Sequence, residues 1–283
     1  MLNLLVEGNS IRSASRLTGV HKCTVAKYLV EFGDACKDFL DARLRGLNLR
    51  HVQCDEIWTF VRKKQSRLTV QEREERGDIG DVYVWTALDQ DTKLIASFAV
   101  GKRSADMARR FLMDLAGRLE FPTAHASDDH AYRTGAYKPI IQISTDGFAA
   151  YPEAVDLAFG PYVRYGQIIK NYRNARMDYT PSEMIGAERR PFRGIADVAT
   201  ICTSHVERQN LTMRTFLKRF NRLTLGFSKK LENLAAAVSL HFAHYNFCRR
   251  HGTLRCTPAM AAGVEGRLWK FADLYDAVMP FWQ

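Results

Sequence analysis

Two short apolar stripes with a helical period mark the first fifty residues. Their apolar positions are Ile11, Ala14 and Leu17, followed by Val25, Tyr28 and Leu29. Thr18-Gly19-Val20 separates the stripes, and two short helices joined by a turn that contains glycine form a helix-turn-helix. On the second helix Lys22, Thr24 and Lys27 would face outward, where such side chains suit phosphates and base edges. A helical hairpin with a solvated basic face is the alternative.

From about residue 50 the apolar period changes to that of strands. β-Forming residues predict three strands, at His51–Val61, Asp81–Leu88 and Lys93–Val100. The charged segment Arg62–Gly80 joins the first two as an exposed hairpin or loop, and the turn Asp89–Thr92 joins the second to the third. Three consecutive strands with these connections predict an antiparallel meander.

Helical and strand patterns alternate over the rest of the chain. The further predicted segments are a helix at Ser104–Leu119, a buried strand at Pro139–Thr145, a helix at Pro152–Phe159, a strand at Arg164–Ile169, and helices at Ser204–Phe220 and Leu231–Asn246. Pro122–Lys138 is polar and loop-like. Lys170–Ala199 is long, charged and irregular, as a functional insertion or a mobile segment would be.

The order of these elements is three strands, helix, strand, helix, strand, helix, which is that of a ribonuclease-H-like fold. We therefore expect the α/β class, with a ribonuclease-H-like mixed sheet flanked by helices at residues 49–263. A small all-α helix-turn-helix domain at residues 1–48 would precede it, and a helical tail at residues 264–283 would follow.

Composition bounds the class of protein. The chain of 283 residues is 46% hydrophobic, which is ordinary for a globular protein and excludes a largely disordered one. No apolar run approaches the roughly 20 residues that cross a bilayer, and residues 1–10 lack the basic start of a signal peptide. We expect a soluble, cytoplasmic protein without a membrane partner. The cysteines stand singly, without a Cys-x-x-Cys pair, so a zinc ribbon is not expected.

Positive charge is the second compositional signal. The formal net charge is +10, and such an excess favours polyanionic partners because Lys and Arg displace the counterions of phosphates. Between Glu207 and Lys230 the chain has seven basic residues, and Glu207 is the one acid there. These basic residues are Arg208, Arg214, Lys218, Arg219, Arg222, Lys229 and Lys230.

Three acids stand at positions that favour chemistry. Asp55 lies inside the first strand, where a charge is costly to bury unless it is paired or bound to a cation. Asp146 ends the buried fourth strand, and the carboxyl ends of strands in open sheets host ligands. Glu207 lies in the first turn of the helix that begins at Ser204. Each has an alternative: a water-facing edge acid, an Asp-Gly turn, and a capping box from Ser204 to Glu207, respectively.

Together the three acids predict a metal site. In a fold of this order Asp55, Asp146 and Glu207 converge, and they could hold two divalent cations roughly 3.5–4 Å apart for phosphodiester chemistry. Side chains on the same helical face as Glu207 predict a basic track for DNA, with a solvated charged helix as the alternative. They are Asn210, Leu211, Arg214 and Lys218.

Three segments around these acids carry a family resemblance: Cys54–Val61, Ser144–Tyr151 and His205–Arg214. In them the chain resembles the DDE transposases of bacterial insertion sequences, and among these the insertion-sequence-one family. The aspartates of the family match Asp55 and Asp146, its glutamate matches Glu207, and its basic residue seven places later matches Arg214. The segment from Asn9 to Phe32 is similar to the helix-turn-helix of the family, and the segment from Tyr245 to Ala259 is similar to the tail of many such catalytic domains.

The resemblance implies a transposase that binds transposon terminal inverted repeats and target DNA as double strands. Strand cleavage by water and joining by the released 3′-hydroxyl would use two Mg²⁺ ions, with Mn²⁺ as a substitute, at Asp55, Asp146 and Glu207. A homo-oligomer on DNA and a nucleoid-associated place in the bacterial cytoplasm are implied as well. The expected DNA-binding residues are Lys22, Thr24, Lys27, Arg208, Arg214, Lys218, Arg219 and Arg222.

Two other functions remain open from the sequence. A structure-specific nuclease of the same fold would cleave DNA without joining it. A DNA-binding regulator would keep the fold and lack activity. Many members of the family also begin with a four-cysteine zinc element, and nothing of that kind precedes the predicted helix-turn-helix. Such an element is therefore either absent or part of a longer form or a separate product.

Overall fold

The structure is a computed structural model, and it describes residues 1–120, 141–173, 183–195, 197–221 and 224–282. The strands are β1 (His51–Val61), β2 (Gly80–Asp89), β3 (Ile95–Gly101), β4 (Ile141–Asp146), β5 (Val163–Arg173) and β6 (Glu183–Arg193). The helices are α1 (Leu2–Val6), α2 (Ile11–Thr18), α3 (Lys22–Arg43), α4 (Val70–Glu75), α5 (Ala105–Arg118), α6 (Tyr151–Phe159), α7 (Ser204–Phe216), α8 (Leu231–Phe247), α9 (Pro258–Ala261) and α10 (Phe271–Val278).

The described strands form one six-stranded mixed sheet in the order β3-β2-β1-β4-β5-β6. The predicted meander is confirmed, because β1 pairs antiparallel with β2 and β2 pairs antiparallel with β3. β4 lies parallel to β1 on one side and to β5 on the other. This mixed sheet with flanking helices is compatible with the predicted ribonuclease-H-like fold.

β6 corrects the expectation of an irregular segment from Lys170 to Ala199. This strand of 11 residues pairs antiparallel with β5, which itself runs past the predicted end at Ile169. The pattern concealed β6 because its arginines break the apolar alternation. Pro191 is tolerated because β6 is an edge strand among the described strands. The predicted loop at Pro122–Lys138 lies outside the described residues.

The two faces of the sheet are covered by different helices. On one face Trp85 is fully buried, with its ring centroid 5.9 Å from that of Phe111 on α5 and from that of Tyr151 on α6. On the other face α8 packs against β3. The Asn246 carboxamide there accepts from the Ile95 N–H at 3.0 Å and donates to the Ile95 carbonyl at 2.9 Å. A polar side chain inside a helix thus extends the hydrogen bonding of a strand.

α2 and α3 are separated by residues 19–21, as the sequence predicted for a pair of short helices. Gly19 ends α2 in the left-handed conformation, with a φ of 73°. The prediction that Leu17 lies on the buried apolar stripe of α2 is wrong, because Leu17 is exposed whereas Ala14 is buried. A helix turns by about 100° per residue, so positions three apart drift steadily around its surface.

α3 is much longer than the short second helix that the sequence suggested. It continues to Arg43 and packs against α8, and a Cβ added at Gly33 would lie 2.4 Å from the Ala236 carbonyl oxygen. Phe32 stacks on Tyr275 of α10 with a centroid distance of 5.4 Å. The N-terminal helices therefore share a hydrophobic core with the rest of the chain, and the division at residue 48 stays a prediction. Among the described residues, no helix is both long and apolar enough to cross a membrane.

Candidate metal centre

Asp55 and Asp146 are neighbours because their strands pair in parallel. The register places Cys54 opposite Thr145, so that the next residues, Asp55 and Asp146, follow side by side. β1 is a central strand, and Asp55 is half-buried there, which excludes the alternative of an edge acid that faces water. Asp146 does form a turn, since its Oδ1 accepts from the Phe148 N–H at 3.0 Å. The turn fixes the carboxylate beside β1.

Glu56 joins these two acids, although the sequence-based site omitted it. Ligand oxygens of Asp55, Glu56 and Asp146 all lie within 4.8 Å of one another. Successive residues of a strand point to opposite faces, so Asp55 and Glu56 approach Asp146 from the two sides of β1. The signal that could have revealed Glu56 is an acidic pair inside a β-strand.

The three acids crowd negative charge into a poorly hydrated space. Burial, followed by the charge of Asp146, raises the pKa of Asp55 to about 7. Burial and then Asp146 also raise the pKa of Glu56 to about 8. The Glu56 side chain is 1% exposed, and its Oε2 has no hydrogen-bond partner among the described residues. Near neutral pH this cluster favours the uptake of a proton or a cation.

Arg103 supplies part of the compensating charge. It lies between β3 and α5, and its Nε donates to Glu56 Oε1 at 3.2 Å while its Nη2 donates to Asp146 Oδ2 at 3.1 Å. The guanidinium carbon is 4.1 Å from the centroid of the Phe148 ring. Arg103 therefore links the two acids and leaves Glu56 Oε2 unsatisfied.

Glu207 approaches from the helical side, on the first turn of α7. Its Oε1 accepts from Thr203 Oγ1 at 2.5 Å and lies 2.6 Å from Lys170 Nζ. The alternative capping box is wrong, because Thr203 stands at the N-cap position of α7 and its side chain accepts from none of the first amides of the helix. After burial and Asp146, the charge of Glu207 contributes to the raised pKa of Asp55. Glu207 thus acts on Asp55 but lies outside the group of three close carboxylates.

Two polar side chains that the sequence did not single out for this purpose attach α7 to β1. Gln53 Oε1 accepts from the N–H groups of His205 and Val206 at 2.9 and 3.1 Å. Asn210 Nδ2 donates to Asp55 Oδ2 at 2.7 Å. Gln53 and Asp55 are two residues apart and therefore share one face of β1. Asn210 follows Glu207 by three residues and therefore shares one face of α7 with it. These bonds attach the helix that carries Glu207 to the strand that carries Asp55.

The expected DNA-binding residues fall into separate regions. On α3, Lys22 and Lys27 are exposed, Thr24 is half-buried, and Lys27 pairs with Glu31 at 3.5 Å. On α7, Arg208 is exposed and Arg214 is half-buried.

The predicted helix through Phe220 is too long, because α7 ends at Phe216. Lys218 and Arg219 consequently lie in a 3₁₀ turn, off the helical face of Glu207. Arg219 Nη1 donates to the Ser228 hydroxyl at 2.7 Å, and burial lowers the Arg219 pKa to about 10. Arg222 lies outside the described residues.

This arrangement suits the binding of hard cations. It combines carboxylates on two adjacent parallel strands, a further carboxylate on a helix and an excess of negative charge. No protein-family model and no curated protein matches this chain.

Proposed function

We propose that this protein is a DNA transposase with a ribonuclease-H-like catalytic domain and a metal-dependent active site. The observation that carries the proposal is the placement of Asp55 beside Asp146 on parallel strands, with Glu207 brought to Asp55 by α7. Two strand acids and one helix acid are the arrangement that the sequence resemblance implies. The proposed catalytic and metal-binding set remains Asp55, Asp146 and Glu207, with Glu56 as an adjacent buried acid.

The residues present fit divalent cations. The buried Glu56 Oε2 has no hydrogen-bond partner in the described part of the chain. The raised pKa values of Asp55 and Glu56 show that nearby positive charge does not balance their negative charges. Carboxylate oxygens are the ligands that Mg²⁺ and Mn²⁺ prefer. When bound, two such ions would activate an attacking oxygen and stabilise a leaving oxygen of a phosphodiester.

The side chains around the acids have a defined task in this proposal. Asn210 orients Asp55 through a charge-assisted hydrogen bond, and Thr203 and Lys170 hold Glu207 on its own side of the site. Gln53 fixes the first turn of α7 relative to β1. Positioning of this kind is what a reaction between two strands of DNA requires, because misplacement by about 1 Å lowers rates strongly.

The proposed partners are double-stranded transposon ends and target DNA. The net charge of +10 supports a polyanionic partner, and Lys22, Lys27 and Arg208 are exposed for phosphate contacts. The helix pair α2–α3 would recognise the terminal inverted repeats as a helix-turn-helix. Because two ends must be brought together, we also propose a homo-oligomer on DNA, in the nucleoid of a bacterial cytoplasm.

Strand transfer tests the proposal. The substrate is a pre-cleaved fragment of the DNA that borders the coding sequence of the protein, with a supercoiled plasmid as target and Mg²⁺ or Mn²⁺ as the metal. We expect joining by the wild type and a loss of at least about a hundredfold in Asp55→Asn, Asp146→Asn and Glu207→Gln, as for removal of catalytic charge stabilisation. Asp91→Asn, at an exposed acid outside the site, should retain activity.

The other outcomes of this assay decide against the proposal. Metal-dependent cleavage without joining would identify a nuclease. Binding of DNA without cleavage or joining would identify a regulator. Near-normal joining by one of the three acid variants would remove that residue from the active site.

A further inference from the structure

Five basic side chains converge beside the first turn of α7, and the proposed function uses one of them, Arg208. They come from three separate parts of the chain: the β2–β3 turn, α7, and the segment after α8. They are Lys93, His205, Arg208, Arg249 and His251. We name them the basic cluster. Its members meet through tertiary packing alone, since about 110 to 160 residues separate Lys93 from the other four.

His251 is under the electrostatic influence of the other four members of the basic cluster. Burial, followed by the charges of Lys93, Arg208, His205 and Arg249, lowers its pKa. Its Nδ1 is buried and has no hydrogen-bond partner among the described residues. Lys93 Nζ lies 3.3 Å from His205 Nδ1, which places two further basic groups in contact. A site in which several basic groups lie this close together favours a negatively charged ligand.

Acidic side chains near the basic cluster have other partners or lie at its margin. Asp91 Oδ2 is 3.3 Å from His51 Nδ1, and Asp89 Oδ2 accepts from the N–H and the hydroxyl of Thr92. Asp89 and Asp91 act on Lys93, and Glu7 acts on Arg249. These acids offset part of the charge at the edges, while Lys93, Arg208, His205 and Arg249 together disfavour a positive charge on His251.

The donors of the basic cluster suit a phosphate. A guanidinium offers a planar fork of N–H groups, a lysine offers a mobile ammonium, and an imidazole adds an N–H. The first amides of α7 do not contribute, because Gln53 Oε1 already accepts from His205 and Val206. Side chains therefore form this site, and the guanidinium of Arg249 is held 3.4 Å from the centroid of the Phe216 ring.

We propose that the basic cluster binds backbone phosphates of the DNA strand that enters the carboxylate site. This inference rests on the proposed function and extends it by a phosphate-binding site beyond the acids. Arg208 follows Glu207 directly on α7, and Gln53 joins the same helical turn to the strand of Asp55. A strand with one phosphate at the acids would therefore present neighbouring phosphates to the basic cluster. Continuity with the acids favours a nucleic-acid backbone over a free polyphosphate.

Binding without catalysis tests this site. The affinity of a short labelled duplex is measured by fluorescence anisotropy in EDTA over a range of NaCl concentrations. The variants are Lys93→Asn, chosen because Lys93 has a φ of 61° that asparagine tolerates, and Arg208→Gln. Each should weaken binding several-fold and reduce the slope of log affinity against log salt by about 1, as for one lost phosphate contact. Arg110→Gln, at an exposed arginine of α5, is the matched control and should change neither.

The remaining outcomes separate this site from the proposed function. If the wild type binds and cleaves DNA while both variants keep its affinity and salt slope, the phosphate site is wrong and the transposase proposal stands. If the wild type does not bind DNA at all, both are wrong. Competition with inorganic tripolyphosphate provides a further arm. Tighter binding of tripolyphosphate than of the duplex, lost in Lys93→Asn, would assign the basic cluster to a free polyphosphate and overturn the DNA proposal. Thermal unfolding of each variant verifies that the fold is intact.

Discussion

Asn210 on α7 donates a hydrogen bond of 2.7 Å from its Nδ2 to Oδ2 of Asp55 on β1. The bond joins a helix to a central strand across 155 positions of sequence. Because its acceptor is a carboxylate, it is stronger than a bond between neutral groups. It fixes the direction in which Asp55 faces, and it brings the helix that carries Glu207 against the strand that carries Asp55.

Removal of this bond should impair metal-dependent chemistry more than DNA binding. We expect Asn210→Ala to lower metal affinity or the rate of joining by about 10- to 100-fold, as for other residues that orient metal ligands. The measurement is the rate of strand transfer against Mg²⁺ concentration, with DNA affinity in EDTA as the second readout. Leu211→Ala, at an exposed neighbour, is the control. Equal losses of DNA affinity and of rate would contradict a positioning role.

Gln53 should contribute to stability through the two hydrogen bonds that it accepts from backbone N–H groups. In Gln53→Leu the N–H groups of His205 and Val206 lose their acceptor in a buried place, which costs about 1–3 kcal/mol. Urea unfolding measures this difference. The same exchange at Gln71 on the exposed helix α4 should change stability by less than about 0.5 kcal/mol. A Gln53 variant as stable as the Gln71 variant would show that α7 is docked by other contacts.

The raised pKa values of Asp55 and Glu56 lead us to expect that the metal-free protein loses stability as the pH rises. Their folded-state pKa values of about 7 and about 8 lie above the ordinary values of 3.8 and 4.5, because burial and Asp146 disfavour the charged forms. Between these limits the folded state binds more protons than the unfolded state. The stabilisation is therefore complete below the ordinary values and is lost as the pH rises through the folded-state values.

Unfolding in EDTA at a series of pH values measures this loss. Glu56→Gln removes one titrating group and should flatten the profile, and Mg²⁺ should restore stability on the alkaline side by binding the folded state. Asp91→Asn, outside the cluster, should leave the profile unchanged. A metal-free wild type whose stability does not fall through the neutral range would contradict the predicted crowding of charge.

The lowered pKa values of His241 and His244 lead us to expect the opposite dependence, in which stability is lost as the pH falls. Burial comes first among the causes that lower their pKa values to about 3 and about 4, from an ordinary value of 6.5. The unfolded state therefore binds more protons in this range. The stability that they permit is complete above the ordinary value and is lost as the pH falls toward the folded-state values.

His241→Leu tests this origin. Both ring nitrogens of His241 are buried without a partner in the described part of the chain, so leucine removes an unsatisfied polar group. We expect a gain of about 1–3 kcal/mol in unfolding free energy, with a larger gain at acidic than at neutral pH. His51→Leu, at an exposed histidine, should show no such gain. A destabilised His241→Leu variant would indicate that His241 has a partner in solution.

Gly33 should be required by the contact of α3 with α8. Alanine inside a helix ordinarily stabilises by about 0.5–1 kcal/mol relative to glycine. At Gly33, however, the added Cβ would lie 2.4 Å from backbone of Ala236, so Gly33→Ala should destabilise by about 1–3 kcal/mol. Gly117 on α5 is the matched helical glycine, with its nearest contact at 3.7 Å. Thermal unfolding should show opposite signs for the two variants, and equal signs would exclude a close crossing.

The sequence by itself determined the local elements and the acids that end or interrupt them. β-Forming residues predicted β1 to the residue, and Ser104, where the sequence predicted the start of a helix, is its N-cap and accepts from the Met107 N–H at 3.2 Å. These features follow from neighbours a few positions apart, which is the range over which periodicity and capping act. Asp55 and Asp146 could be selected in the same way, since one is a charged residue inside a strand and the other ends a strand.

Only the tertiary structure decided which side chains meet. The pairing of Cys54 with Thr145 aligns two distant strands, and it thereby brings Glu56 and Arg103 to Asp146. The docking of α7 brings Glu207 into an ion pair with Lys170. No local sequence pattern predicts these contacts. Register and helix docking depend on contacts between residues that lie tens of positions apart in the chain, and up to 155 positions for Asn210 and Asp55. For that reason the sequence predicted an acidic site, and the packed fold determined its members.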